Sequence, residues 1–423
     1  MTAPTSAALA ALLPQRVLDR CHALAQLTEQ DGGLTRVFLS AEQSAANRLV
    51  QGWMEEAGMR ARVDAIGNCV GRYEGEVPGL PCLLLGSHLD TVRDAGRYDG
   101  MLGVVSAIEC VTALHATGTR LPFAVEVVGF GDEEGVRFGA TLIGSRAVAG
   151  TLDPALLDRA DATGTTLRDA LAGFGLDPAG VGAAARRAGD VLAYAELHIE
   201  QGPVLEAAGL PVGVVTAING GNRFQVEVTG MAGHAGTVPM GLRRDALAAA
   251  AECVLAVERI AAADADVVGT VGRISAHPGA MNVIPGKVAF SLDVRAPTDD
   301  KRAVAVAAMR AEFAAIGERR CVDVVVAPLW EAKTAPCAAG MQRQIAAAIH
   351  AEGVRVHHLP SGAGHDGMAL VDLTPIGMLF VRCAGGISHN PAEAVTLADV
   401  ATGARVLLRF VLAFTPPPRG VAL

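Results

Sequence analysis

PCLLLGSHLDTVRDAGRYDGMLGV, residues 81–104, decides how the fold is read. Its opening, Leu83-Leu84-Leu85, is a short apolar run of the kind that lies buried in a sheet, and it passes directly into Gly86-Ser87-His88. A glycine-containing loop then carries Asp99, and from about 100 to 117 the pattern is helical. Strand, polar loop and helix in succession are one step of an open α/β sheet, where binding residues gather at the carboxyl ends of strands.

The same step recurs. FAVEVVGF (123–130) runs into Glu133-Glu134, VLAYAELHI (191–199) contains His198, and IGMLFVRC (376–383) precedes His389. Further helical patterns lie at about 340 to 352 and 396 to 414, and the Ala/Gly/Asp-rich segment from about 151 to 190 reads as a helical excursion on the surface. The opening, MTAPTSAALAALLPQRVLDR, reads as the first helix of a soluble enzyme, because it lacks the basic start of a secretory signal.

Near Leu210 the pattern changes. PVGVVTAI and RFQVEVTG alternate with period two, and a helix from about 241 to 263, the strands DVVGTVGRI and KVAFSLDVR, a helix from about 299 to 315 and the strand CVDVVVAP follow. His389 lies beyond this α+β stretch and must return to His88, so the expected organisation is discontinuous. A catalytic domain of residues 1–209 and 329–423 carries an inserted domain of residues 210–328.

Composition bounds the function. Hydrophobic residues make up 51%, aromatics 4% and charged residues 19%, which is a globular balance with a core of small aliphatic side chains. The net charge of −9 is spread without basic runs, arguing against nucleic acid and anionic membranes as partners. No apolar stretch reaches the roughly 18 residues of a membrane span. The eight cysteines form no CxxC pair, so free thiols in a reducing cytoplasm are expected.

Five potential metal ligands, His88, Asp99, Glu134, His198 and His389, stand in short glycine-rich or strand-end settings. Three imidazoles and two carboxylates can hold a pair of divalent cations roughly 3.5 Å apart with a water between them. Each has a plain alternative: a chance His-x-Asp, a turn aspartate, a solvated acidic pair, a core histidine, a turn histidine. Their joint occurrence at strand ends favours the metal site. Asp90 is expected to hold the second ring nitrogen of His88, and Glu196 that of His198. Of the adjacent Glu133 and Glu134, one can bind metal while the other stays free as a base.

Taken together, GSHLDTVRDAGRYDGMLGV, GFGDEEGVRFG, ELHIEQGPVLE, GHAGTVPMGLRRDAL, MNVIPGKVAFSLDVR, SGAGHDGMAL and GGISHNPAEAV resemble the hydantoinase/carbamoylase amidases, which belong with the dimetal aminoacylase- and carboxypeptidase-like metallohydrolases. The resemblance spans nearly the whole chain. It implies an α/β fold in which a dimetal-peptidase-like catalytic domain, a mixed sheet flanked by helices, carries an inserted ferredoxin-like lid and dimerisation domain. It further implies His88, Asp99, Glu134, His198 and His389 as metal ligands with Asp99 bridging, and Glu133 as the catalytic base, with Asp90 beside them. Ala95-Gly96, where many relatives would show two glycines, departs from the pattern without touching a ligand.

Substrate contacts are implied at His234, Asn282 and Arg295, with Gln201 and His365 as further candidates; a guanidinium fork suits a carboxylate. Two divalent ions per subunit (Zn, Mn, Co or Ni), a small anionic ureido substrate and a homodimer through the inserted domain complete the expectation. Within the family an N-carbamoyl-L-amino acid hydrolase ranks first, then an allantoate amidohydrolase, then a β-ureidopropionase. An aminoacylase or dipeptidase on the same centre and a non-catalytic binding protein are the rivals. The latter would be expected to have lost a ligand or Glu133, and none is missing.

Overall fold

The computed structural model describes residues 3–416. They divide into two compact units, one of residues 3–216, 337–359 and 363–416, the other of residues 217–336 and 360–362.

The first unit is built on a mixed sheet. Its strands run in the order Arg60–Val63, Cys69–Tyr73, Ala124–Phe130, Cys82–His88, Val191–Ile199, Ile376–Val381 and Val212–Ile218. The four from Ala124–Phe130 to Ile376–Val381 are mutually parallel, in a register that sets His88 beside Phe130 and Phe380 beside His198. Parallel strands buried on both faces need continuous apolar sequence, and every residue of Cys82–His88 and Ala124–Phe130 is buried.

The helix Met101–Ala116 follows the same logic. Thirteen of its residues are buried, so it is apolar all round and is packed between the strands Cys82–His88 and Val191–Ile199 and the helices Pro14–Leu24 and Leu397–Ala413.

Several expectations are corrected. The opening forms two helices, Ala3–Ala11 and Pro14–Leu24, with residues 1–2 outside the described part. Pro14 lacks an N–H and disfavours helical geometry in the residue before it, and Leu13 accordingly turns its own N–H onto Glu109 Oε1 at 2.8 Å. The excursion at 151–190 is short and helical but not merely superficial: Leu157, Leu167, Leu171 and Ala184 are buried in a cluster with Phe38, Ile66 and Ile143. Val212–Ile218, read as the start of the insert, pairs antiparallel with Ile376–Val381 in the larger sheet, and the chain changes unit inside this strand. Every residue of this strand but Thr216 is buried, so the wet face expected from its alternation is absent, as befits a strand inside the larger sheet.

The second unit is an antiparallel sheet in the order Ile274–His277, Lys287–Ala296, Gly220–Thr229 and Asp323–Ala332, with Val268–Thr270 also on Lys287–Ala296. DVVGTVGRI is therefore two strands rather than one. Between them Arg273 gives its N–H to the Ser291 hydroxyl at 3.1 Å. The helices Ala246–Ala261 and Asp299–Arg320 pack on each other and on the sheet, burying Phe224, Val226, Phe290, Val294 and Phe313. With Val268–Thr270 and Ile274–His277 taken as one interrupted strand, both being paired with Lys287–Ala296, the succession follows the ferredoxin-like order of strand, helix, two strands, helix, strand. Asp245 caps the first helix through Leu247 and Ala248, and Thr298 caps the second through Lys301.

Candidate metal centre

Asp99 stands at the middle of three imidazoles. Its Oδ1 lies 3.3 Å from His88 Nε2 and 3.2 Å from His198 Nε2, and its Oδ2 lies 3.3 Å from His389 Nε2. Glu134 Oε1 lies 3.5 Å from the same His389 nitrogen. Four groups of three among the described residues have ligand atoms within 4.8 Å of one another: His88/Asp99/His198 and Asp99/Glu134/His389, which share Asp99, and His88/Glu133/Glu134 and Glu196/His198/His365.

The far side of each ring tests whether these residues fit a metal. His88 Nδ1 lies 2.9 Å from the main-chain oxygen of Asp90, and His198 Nδ1 lies 2.9 Å from that of Ile199. A carbonyl only accepts, so both Nδ1 atoms carry protons, and each Nε2 is turned to the Asp99 carboxylate. The His198 Nε2 also accepts the Gly100 N–H at 3.3 Å, while a proton on each ring or a metal ion serving both would relieve the repulsion between ring lone pairs and carboxylate. The residues fit a metal.

The electrostatics agree. Burial opposes a charge on His88, but Asp99, Glu133 and Asp90 outweigh it and raise its pKa well above the ordinary value. His198 is likewise raised by Asp99 and Glu196 against burial, and His389 is raised chiefly by Asp99. Burial works against Asp99 too, yet its three histidine partners hold its carboxyl well below the ordinary value. Burial pushes Glu134 up to about 7, with His88 opposing and Asp99 adding to the rise.

Local structure explains the placement. Gly100, at φ +71°, opens the helix Met101–Ala116, and a Cβ there would fall 2.5 Å from the His88 ring. Asp132, Gln201 and His389 are three of the seven non-glycine residues with positive φ among the described residues, so backbone strain concentrates around this site.

Two partner assignments change. Asp90 holds His88 by its main-chain oxygen, while its carboxylate stands 3.9 Å away and accepts the N–H groups of Glu133 and Glu134, each at 3.2 Å. Its carboxylate positions the acidic pair rather than the imidazole. Glu196 does not hold the His198 ring nitrogen, which is taken by Ile199. It accepts instead from Ser87 Oγ at 2.7 Å and from Tyr194 OH at 2.9 Å, tying together the two strands that carry His88 and His198.

Glu133, 8% exposed, also lies near His88. Burial drives its pKa well above the ordinary value, with His88 opposing and Glu134, Asp366 and Asp90 adding to the rise. Gln201 donates from Nε2 to Asp99 Oδ2 at 2.8 Å, while its Oε1 is buried without a hydrogen-bond partner. His365 is buried edge-on to His198, with ring centroids 4.5 Å apart, and burial drives its pKa well down.

His234, Asn282 and Arg295 belong to the second unit. His234 and Asn282 come together there, because Gly233–His234 pairs with Val283–Ile284 and Ala235 N–H donates to Asn282 O at 3.0 Å. His234 is exposed. Arg295 has its Nε and Nη2 on the Asp293 carboxylate at 2.9 and 3.1 Å, and its Nη1 on Gly362 O at 2.7 Å.

The pattern of Peptidase family M20/M25/M40 matches residues 84–413, from the His88 strand to the closing helix. The chain belongs to this family. It is 43% identical over 398 residues to an N-carbamoyl-L-amino acid amidohydrolase of Geobacillus stearothermophilus, covering 94% of this chain and 97% of that one. It is 40% identical to a probable allantoate deiminase of Oryza sativa subsp. japonica, covering 95% and 88%. A crystal structure of a hydantoinase/carbamoylase family amidase from Burkholderia multivorans superposes with a TM-score of 0.89 at 33% identity, covering 95% and 98%. As a member of this family the chain is a metal-dependent hydrolase acting on C–N bonds.

Sequence reasoning passed over Ser388 and Glu393, although both stand in GGISHNPAEAV beside His389. Ser388 Oγ lies 2.8 Å from Asp99 Oδ2, and Glu393 accepts the Asp99 N–H at 3.2 Å. Proximity to a candidate ligand in sequence was the available signal. Asp132 and Asp366, buried among the neighbouring carboxylates, were passed over as well.

No helix among the described residues is long and apolar enough to cross a membrane. All eight cysteines are unpaired.

Proposed function

We propose that this enzyme hydrolyses the ureido C–N bond of an N-carbamoyl-L-amino acid, releasing ammonia and carbon dioxide. The observation that carries the reading is Asp99 shared between two ion-binding groups, with the buried Glu133 left beside them as a base. The 43% identity to an N-carbamoyl-L-amino acid amidohydrolase supports this substrate over allantoate, the second choice on the 40% likeness to an allantoate deiminase, and over N-carbamoyl-β-alanine. His88, Asp99, Glu134, His198 and His389 would hold two divalent ions, Zn, Mn, Co or Ni, with Asp99 between them. When bound, the ions polarise the ureido carbonyl and acidify water.

The chain's own groups do the rest. Glu133 takes the proton of the attacking water on its carboxylate and later gives it to the departing ammonia, and the remaining carbamate loses carbon dioxide. Asp90 keeps Glu133 in place by accepting its main-chain N–H at 3.2 Å. The unpartnered Gln201 Oε1 is an acceptor for a ureido N–H. His234 and Asn282, on the second unit, are assigned to the substrate or its oxyanion, and that unit is assigned the role of a lid excluding water. Arg295 is assigned to the substrate carboxylate, which would compete with Asp293 for its fork.

Ammonia release from the metal-loaded enzyme tests the reading on N-carbamoyl-α-amino acids, their carboxamides, N-carbamoyl-β-alanine, allantoate and N-acetyl-amino acids. The expected result is fastest turnover of N-carbamoyl-L-amino acids as free acids, with Arg295→Lys losing most of the preference for acid over carboxamide. Turnover of N-acetyl but not N-carbamoyl substrates would replace the assignment by an aminoacylase.

A homodimer through the second unit is part of the same proposal, because the strand Asp323–Ala332 at the sheet edge is largely exposed, with Val325, Leu329 and Trp330 open to solvent. Light scattering is expected to give a dimer, and a monomer would refute it. Mixing inactive His234→Ala with inactive Glu133→Gln subunits then decides which chain His234 serves. Recovery of activity after verified exchange means that it serves the partner, and none means that it serves its own chain.

A further inference from the structure

We infer that Glu393 is a positioning residue for Asp99, holding the backbone that carries this carboxylate and, through Ser388, the orientation of its Oδ2. The inference rests on the proposed reading of Asp99 as a metal ligand. Glu393 lies four residues beyond His389 and is 4% exposed. Its Oε1 accepts two consecutive main-chain N–H groups, Tyr98 at 2.8 Å and Asp99 at 3.2 Å. Its Oε2 lies 3.1 Å from Ser388 Oγ, which in turn lies 2.8 Å from Asp99 Oδ2.

Asp99 is thus held at both ends. Glu393 fixes its main chain, while Ser388 and Gln201 bind Oδ2, leaving Oδ1 turned to His88 and His198. A carboxylate free to rotate would exchange the oxygen facing two imidazoles with the one facing the third. The close packing explains a glycine as well, since a Cβ on Gly96 would fall 2.2 Å from Glu393 Cδ. Glu393 itself is in none of the ion-binding groups found among the described residues; its Oε1 is engaged by two main-chain donors, while its Oε2 and Asp99 Oδ2 both face the Ser388 hydroxyl, whose single proton serves one of them at a time. Its role is therefore to join the loop bearing Asp99 to the loop bearing His389.

The probe is Mn²⁺ binding to metal-free protein, read by competition with a fluorescent chelator, alongside thermal melting of the metal-free forms. Glu393→Ala is expected to bind Mn²⁺ about 10- to 100-fold more weakly, the usual scale for groups that orient ligands. Glu393→Gln keeps a carbonyl oxygen for both N–H groups and is expected to retain most of the affinity, whereas Glu393→Met, of similar size but without that acceptor, is expected to lose it as Glu393→Ala does. Ser388→Ala removes no main-chain bond and is expected to weaken Mn²⁺ binding while melting like the wild type. Wild-type affinity in Glu393→Ala, or equal losses in the Gln, Met and Ala variants, would overturn the inference. Should Glu393→Ala fail to fold, unchanged affinity in Ser388→Ala overturns it instead. Wild-type protein that binds no Mn²⁺, Zn²⁺, Co²⁺ or Ni²⁺ would overturn the metal reading itself, a separate result.

Discussion

Glu133→Gln is expected to lower kcat by about 10²-fold or more, with metal content and KM near those of the wild type. A factor of 10² corresponds to about 2.7 kcal/mol of transition-state stabilisation. The substitution keeps the volume of the side chain and removes only its capacity to take a proton. Burial, helped by Glu134, Asp366 and Asp90 and opposed by His88, already holds this carboxyl well above the ordinary range, so it is a stronger proton acceptor than a solvated glutamate. Its main-chain N–H stays on Asp90 in the variant, so the loop is kept. Elemental analysis and steady-state kinetics on one preparation check this, and turnover within a few-fold of wild type would remove Glu133 from the chemistry.

Removal of metal by a chelator should abolish turnover, and Mn, Co, Ni or Zn should restore it. The pH dependence of reloading has a definite sign. In the metal-free protein His88, His198 and His389 have raised pKa values, so they keep their protons to a higher pH than free histidine does. A metal must displace those protons, so apparent affinity rises with pH and is lost progressively as pH falls through the raised values. Calorimetry in buffers of different ionisation enthalpy should detect net proton release on binding at neutral pH. Full activity in protein shown to lack metal would defeat the prediction, and so would binding without proton release.

Much of this was legible in the chain because the informative features are local. Cys82–His88, Ala124–Phe130 and Val191–Ile199 could be read as buried strands from short apolar runs, and the positions of His88, Glu134 and His198 at or just beyond their ends pointed to one edge of a sheet. Met101–Ala116, Ala339–Ala351 and Leu397–Ala413 match the helical patterns expected at those places. Sheet membership was less legible: Val212–Ile218 was read as alternating with one wet face, yet all of it but Thr216 is buried, because its partner Ile376–Val381 places it in the larger sheet.

The family and the settings of the candidate ligands at strand ends were readable in the chain alone, because residue identity and hydrophobic period are carried by neighbours in sequence. Which atom serves which became visible in the folded chain. The Asp90 main-chain oxygen rather than its carboxylate holds His88, Ile199 rather than Glu196 holds His198, and Glu393 reaches Tyr98 across 295 positions. Such hydrogen bonds require atoms brought to about 3 Å with a suitable angle, a condition set by the packing of the whole unit. The spacing of residues along the chain does not encode it.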